Sequence, residues 1–230
     1  GSARGWTVSD LIGKYPKLLI VTADRKSSDS IFADLGAFQR ERPVDQFSSW
    51  ETLPFEEVSP GTATSAERIR VLKRAHSADP SLIVAPIEAL AHRAPPSWYI
   101  DRLALRLDSS TRLVRDDLIQ HLLLCGYRRV PLVEEVGDIA VRGSIVDFFP
   151  AGVSEPIRVS IDGARIAELR IFNSSTQRST HRVDSVDILP VREQIPLQKE
   201  SPFHERLVGA QQAIKERAQQ LGTPPSELAR

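Results

Sequence analysis

The sequence predicts an α/β chain built in two parts, a parallel-sheet part over residues 1–105 and a small α+β domain over residues 106–190. Three observations lead there. Up to about residue 105, short β-branched runs alternate with amphipathic ones, the pattern of strands joined by crossover helices. Beyond residue 127 the helical spacing gives way to short runs punctuated by turn residues. Asp162-Gly163 also sits between two alternating runs, a strong hairpin signal.

The elements follow in order. Residues 17–24 (KLLIVTAD) form a continuous apolar run, which predicts a strand buried on both faces. Ile31, Phe32, Leu35 and Phe38 then recur at helical spacing, with Ser27 or Ser28 expected to cap. Residues 44–47 make a weak strand and residues 49–60 an irregular loop. A helix is expected over 65–77, with Glu67 in its first turn, and a buried strand over 81–86 (SLIVAP) leads into a short helix. Residues 115–127 (RDDLIQHLLLCGY) read as a helix stopped by a left-handed Gly126. The strands expected after it are RVPLVEE, DIAVRGSIVDFFP, PIRVSIDG, ARIAELRIFN and SVDILPV. Residues 191–230 hold one polar helix and too little apolar surface for a core of their own.

Composition narrows the function. The chain has 230 residues, 41% of them hydrophobic, with 30 basic residues balancing 30 acidic ones. A protein that neutralises many phosphates carries a basic excess, and none is present here. A single cysteine, Cys125, suits a reducing compartment and reads as a small core residue. No run approaches the roughly 20 apolar residues that span a bilayer, so a cytoplasmic location is expected. The absence of methionine leads us to expect a piece of a longer protein, with Gly1-Ser2 an expression remnant.

Catalytic patterns are lacking. Gly13-Lys14 precedes the first strand and has no glycine-rich turn before it, so it cannot cradle a triphosphate. His76, His92, His121, His181 and His204 stand apart from one another and from metal-ligand spacing. His121, set among leucines, reads as structural. Asp147 reads as a strand-end hydrogen-bond acceptor, with no partner acid or base in sight. Neither a catalytic residue, a metal nor a bound cofactor is expected. The arginines say more. With a period of two, Ala140, Arg142, Ser144 and Val146 share one face of their strand, while Ile139, Val141, Ile145 and Phe149 form the inward one. Arg158, alternating with Ile157, Val159 and Ile161, also points outward. Two outward arginines on one sheet are either solubilising charge or interface anchors.

Residues 50–60 (WETLPFEEVSP) with the following SAERIRVL, then GYRRVPLVEEVGDIAVRGSIVDFFPAGVSEPIRV and LRIFNSSTQRS…ILPVRE, resemble in order the N-terminal, UvrB-homologous module of bacterial transcription-repair coupling factors. Gly126-Tyr127, Arg142-Gly143, Asp147, Pro150 and Thr176-Gln177 are all in step. The resemblance implies a degenerate RecA-like part over 1–105, a UvrA-binding domain over 106–190, and a segment over 191–230 returning to the first part. Gly1, Ser2, Ala3 and Arg4 would then be the relic of a phosphate loop. It further implies a non-catalytic adaptor that recruits UvrA to RNA polymerase stalled at DNA lesions. ATP and magnesium would serve a DNA-translocating motor elsewhere in the full-length protein, which also contacts DNA and the polymerase. The family's UvrA-contacting arginines fall on Arg142 and Arg158. A family phenylalanine falls on Asp162, a departure expected to alter the contact. The family also docks this face on its own C-terminal domain in autoinhibition, so a chain ending at Arg230 is expected to leave it open.

Two other readings stand beside this one. UvrB itself shares the second block, but SSWETLPFEE is too short for the aromatic hairpin that UvrB inserts between DNA strands. Direct nucleic-acid binding would use Trp50, Phe55, Trp98 and Tyr99 as stacking platforms, against a neutral overall charge.

Overall fold

The computed structural model describes residue 11 and residues 14–38, 42–50 and 60–193. The elements are β1 (Lys17–Thr22), α1 (Arg25–Phe38), β2 (Val44–Gln46), α2 (Thr62–His76), β3 (Ser81–Pro86), α3 (Ile87–Ala91), α4 (Ser97–Leu103), β4 (Leu105–Asp108) and α5 (Arg115–Leu124). The strands β5 (Arg128–Arg129), β6 (Asp138–Arg142), β7 (Ile145–Phe148), β8 (Ile157–Asp162), β9 (Arg165–Phe172), β10 (Ser179–Arg182) and β11 (Ser185–Ile188) follow.

The first part is a three-stranded parallel sheet in the order β1-β3-β2. Its centre is β3, whose six residues are all buried, as a strand covered on both faces must be. On one face Leu35 of α1 packs with Leu82 and Val84. On the other, Val71 of α2 packs with Ile83, Ala85 and Phe47. The expected burial of β1 on both faces fails: Leu19 and Val21 are 53% and 48% exposed. They share a face with Ile83 and Ala85, but among the described residues β1 is the sheet's edge and the cover over β3 does not extend to it. The capping expectation also shifts, because Asp24, not Ser27 or Ser28, accepts the Ser27 backbone N–H at 2.7 Å. That bond holds the Asp24 carboxyl below its usual range.

The second part is a six-stranded sheet, β10-β9-β8-β7-β6-β5, antiparallel except for the short β5–β6 pair. Leu118, Ile119 and Leu122 of α5 cover one face, packing with Ile139, Val146, Phe148, Ile157, Val159 and Leu169. Ala66 of α2 and Tyr99 and Leu103 of α4 join the same cluster, so helices of the first part complete the core of the second. Helix α5 ends as expected: Gly126 has φ +90°, its N–H bonds the Leu123 carbonyl, and the Tyr127 N–H bonds that of Leu122. Helix α4 and strand β4 were not anticipated. The first follows Pro95-Pro96; the second is only LRLD and becomes a strand by pairing with the distant β11.

One correction bears on function. The run DIAVRGSIVDFFP is not one strand but a hairpin, β6 and β7, turning through Gly143 at φ +59° and Ser144. The register opposes odd with even numbers, Arg142 to Ile145 and Ile139 to Phe148. The turn therefore exchanges the faces expected for the second half. Val146 points inward and is fully buried, while Ile145 and Asp147 join Arg142 on the other face.

Candidate protein-interaction face

The face of the six-stranded sheet turned away from α5 has two rows that matter. One runs Arg142, Ile145, Ser160, Glu168 across β6, β7, β8 and β9; the next runs Ala140, Asp147, Arg158, Arg170. Arg142 and Arg158 therefore stand on one face, with the large apolar core behind it. They are not neighbours. Strand β7 lies between them, and strand spacing places their Cα atoms about 12 Å apart.

Part of this face carries a small core of its own, where Val133, Ala140 and Phe172 are buried together beneath the loop after β5. Arg158 lies at its rim. Its Nε and Nη2 donate to Asp147 Oδ1 and Oδ2, both at 2.8 Å, a bidentate pair across adjacent strands. Its Nη1 donates to the Gln177 carbonyl at 3.3 Å and to Ser179 Oγ at 3.2 Å. The guanidinium carbon sits 4.7 Å from the centre of the Phe172 ring, within cation–π range. The Asp147 bond raises the Arg158 pKa further. Arg158 was expected to face solvent freely. Instead its side chain is only 18% exposed, because Asp147, itself 1% exposed, needs a partner charge.

Arg142 is the opposite case. It is exposed at the end of β6 and makes no hydrogen bond or ion pair among the described residues. Asp162 is exposed at the end of β8, where the chain turns through Gly163 at φ +59° into β9. It shares the Arg158 side of that strand by alternation. Glu168 is held by Arg170 at 2.8 Å and Arg182 at 2.9 Å.

The sequence reading missed the positioning shell. Asp147 is the hydrogen-bond acceptor expected near a strand end, and its donor, Arg158, is visible once the turn at Gly143 sets the register. Gln177 is a non-glycine residue at φ +58°. Its Nε2 reaches the Val133 carbonyl at 3.2 Å and the Ser174 carbonyl at 2.6 Å, tying the two loops that flank Arg158.

The other residues singled out are dispersed. The relic loop Gly1, Ser2, Ala3 and Arg4 lies outside the described residues, as do Phe55 and nearly all of 191–230. Among the proposed stacking aromatics, Tyr99 is buried, and Trp50 stacks on His92 with its N–H bonded to Glu193. Trp98 alone of those described is largely exposed. His121 bonds the Leu103 carbonyl through Nε2 at 3.0 Å, and burial lowers its pKa. Cys125 is fully buried, its thiol pushed up to about 12 by the apolar surroundings. Among the described residues no cluster of His, Cys, Asp and Glu could hold a metal ion, and no helix is long and apolar enough to cross a membrane.

Residues 105–193 match the family model of the UvrB interaction domain. That range begins with β4 and ends just past its partner β11, and it contains the whole six-stranded sheet. The chain is 32% identical over 175 residues to the transcription-repair-coupling factor of Haemophilus influenzae, covering 76% of this chain and 15% of that protein. It is 30% identical over 226 residues to that of Myxococcus xanthus, covering 94% and 18%. It is 34% identical over 192 residues to that of Mycobacterium bovis, covering 80% and 15%. The chain thus spans less than a fifth of the length of these relatives.

Proposed function

We propose, from the premise that residues 105–193 belong to the UvrB interaction domain family, that this chain is the UvrA-recruiting adaptor of a transcription-repair-coupling factor. Its role is to bring UvrA to RNA polymerase stalled at a DNA lesion, at the start of transcription-coupled nucleotide excision repair. Residues 1–105 are a RecA-like part without a working nucleotide site. ATP hydrolysis, DNA translocation and the polymerase contact belong to other segments of the parent protein.

The observation that carries this reading is the outer face itself. An apolar core lies behind it, and Arg142 is exposed on it with no side-chain partner among the described residues. An unpaired surface arginine beside a pre-positioned second one is the arrangement of an interface anchor, because little side-chain reorganisation is needed on binding. Asp162 sets the family's apolar contact aside here, so more of the binding falls to the arginines.

A titration of UvrA with the chain and with Arg142→Ala tests this. Loss of an interface arginine costs about 2 kcal/mol, roughly a 30-fold weaker affinity. Equal affinities for the two proteins would remove Arg142 from the contact and the adaptor reading with it.

A further inference from the structure

Arg142 and Arg158 have the same side chain but cannot be recognised by the same chemistry. Arg142 has its whole donor fork available. Arg158 has four of its five donors engaged: two go to Asp147 and two bonds run from Nη1 to Gln177 and Ser179. A carboxylate from a partner could take that fork only by displacing Asp147. Asp147 is 1% exposed and would be left charged, buried and unpaired, which is strongly unfavourable. One flat side of the guanidinium is already against Phe172 at 4.7 Å. Besides one Nη2 hydrogen, what Arg158 still offers a partner is the side of its guanidinium turned away from Phe172, at 18% side-chain exposure.

A guanidinium plane held rigidly is a platform for a second planar group, because it is weakly hydrated and its charge attracts a ring's electron-rich face. Asp147, Phe172 and Gln177 therefore act as positioning residues that turn Arg158 from a donor into a platform. We infer that the partner docks on this face with two unlike residues, an acidic side chain paired to Arg142 and an aromatic side chain stacked on the open side of Arg158. With the two sites about 12 Å apart across three strands, these residues lie about two helical turns apart if one helix carries both.

This inference rests on the adaptor reading, so the probe is UvrA, titrated at low and high salt with the whole chain and with its lysine variants. Arg158→Lys keeps the charge and can still pair with Asp147 but lacks the plane. It is expected to bind about ten-fold more weakly, with the salt dependence of the wild type. Arg142→Lys keeps a point charge for a carboxylate and is expected to lose about three-fold or less, whereas Arg142→Ala flattens the salt dependence. If Arg142→Ala weakens binding and Arg158→Lys does not, the platform is refuted and the adaptor reading survives. If Arg142→Ala has no effect, the adaptor reading falls first. A measurement without substitution guards against a misfolded Arg158→Lys. In the ¹⁵N-labelled wild-type chain, the Arg158 side-chain N–H signal moves upfield on adding UvrA if a ring stacks on it. No shift, or a downfield one, overturns the inference.

Discussion

Two regions of this protein are built from the same three parts, an arginine, a carboxylate and an aromatic ring, and do different things. At the junction of helix α2 with the segments after β2 and β11, Arg68 of α2 donates to Glu193 at 2.6 Å and to the Ser48 carbonyl at 2.6 Å. The rings of Phe47 and Trp50 lie 4.1 and 5.5 Å from its guanidinium carbon. Its side chain is 1% exposed and that of Glu193 5%. On the outer face, Arg158 has Asp147 and a single ring, Phe172, and keeps 18% exposure. Sealing is the whole difference. With rings and carbonyl around it, the first arginine can only join helix α2 to the segment that follows β11. With one side left open beside the unpaired Arg142, the second can meet another molecule. An arginine–carboxylate pair is therefore no evidence of function until its remaining surface is counted.

That contrast can be broken, and the largest expected effect is at the junction. Arg68→Ala leaves Glu193 buried without its charge partner and should destabilise the chain by about 3–5 kcal/mol in urea unfolding. A loss under 1 kcal/mol would mean that the junction is not sealed. The Arg142→Ala change behaves inversely, weakening UvrA binding by about 2 kcal/mol while moving stability by no more than about 0.5 kcal/mol. Smaller still is Asp162→Ala. It removes a negative charge from a face proposed to meet an acidic group, so UvrA should bind about two-fold tighter at low salt and equally at high salt. Weaker binding would make Asp162 an attractive contact.

A last test sharpens the junction side alone. His121 is held neutral against helix α4, its pKa lowered from 6.5 mainly by burial. The unfolded chain binds the proton more readily, so stability is full above about pH 6.5 and falls as pH drops below it. His121→Gln should flatten that slope in pH-dependent unfolding, and UvrA affinity measured on folded protein should not follow it.

Much of this was legible in the residues. The strand–helix alternation of the first part, the left-handed Gly126 and the hairpin at Asp162-Gly163 each rest on a local rule, and each holds. The placement of Arg142 and Arg158 on one outer face also follows from local periodicity. What was misjudged depended on neighbours far along the chain. Residues 17–24 look like any buried strand, but burial of Leu19 and Val21 is decided by whether another element covers the sheet edge. Strand β4 exists because β11 pairs with it. Gly143 lies within what reads as one strand, and only the pairing of β6 with β7 makes it a turn and moves Val146 inward.

The sequence by itself determined the kind of protein: which stretches are apolar, where the chain turns, and that two arginines share a face. Those are properties of periods two and 3.6 and of single backbone positions, so they need no distant partner. Tertiary structure alone decided what each arginine can do. Whether a guanidinium is free or occupied depends on which carboxylates and rings the fold brings within a few ångströms. Asp147 reaches Arg158, and among the described residues no side chain pairs with Arg142, because strand register, not sequence distance, sets who is opposite whom.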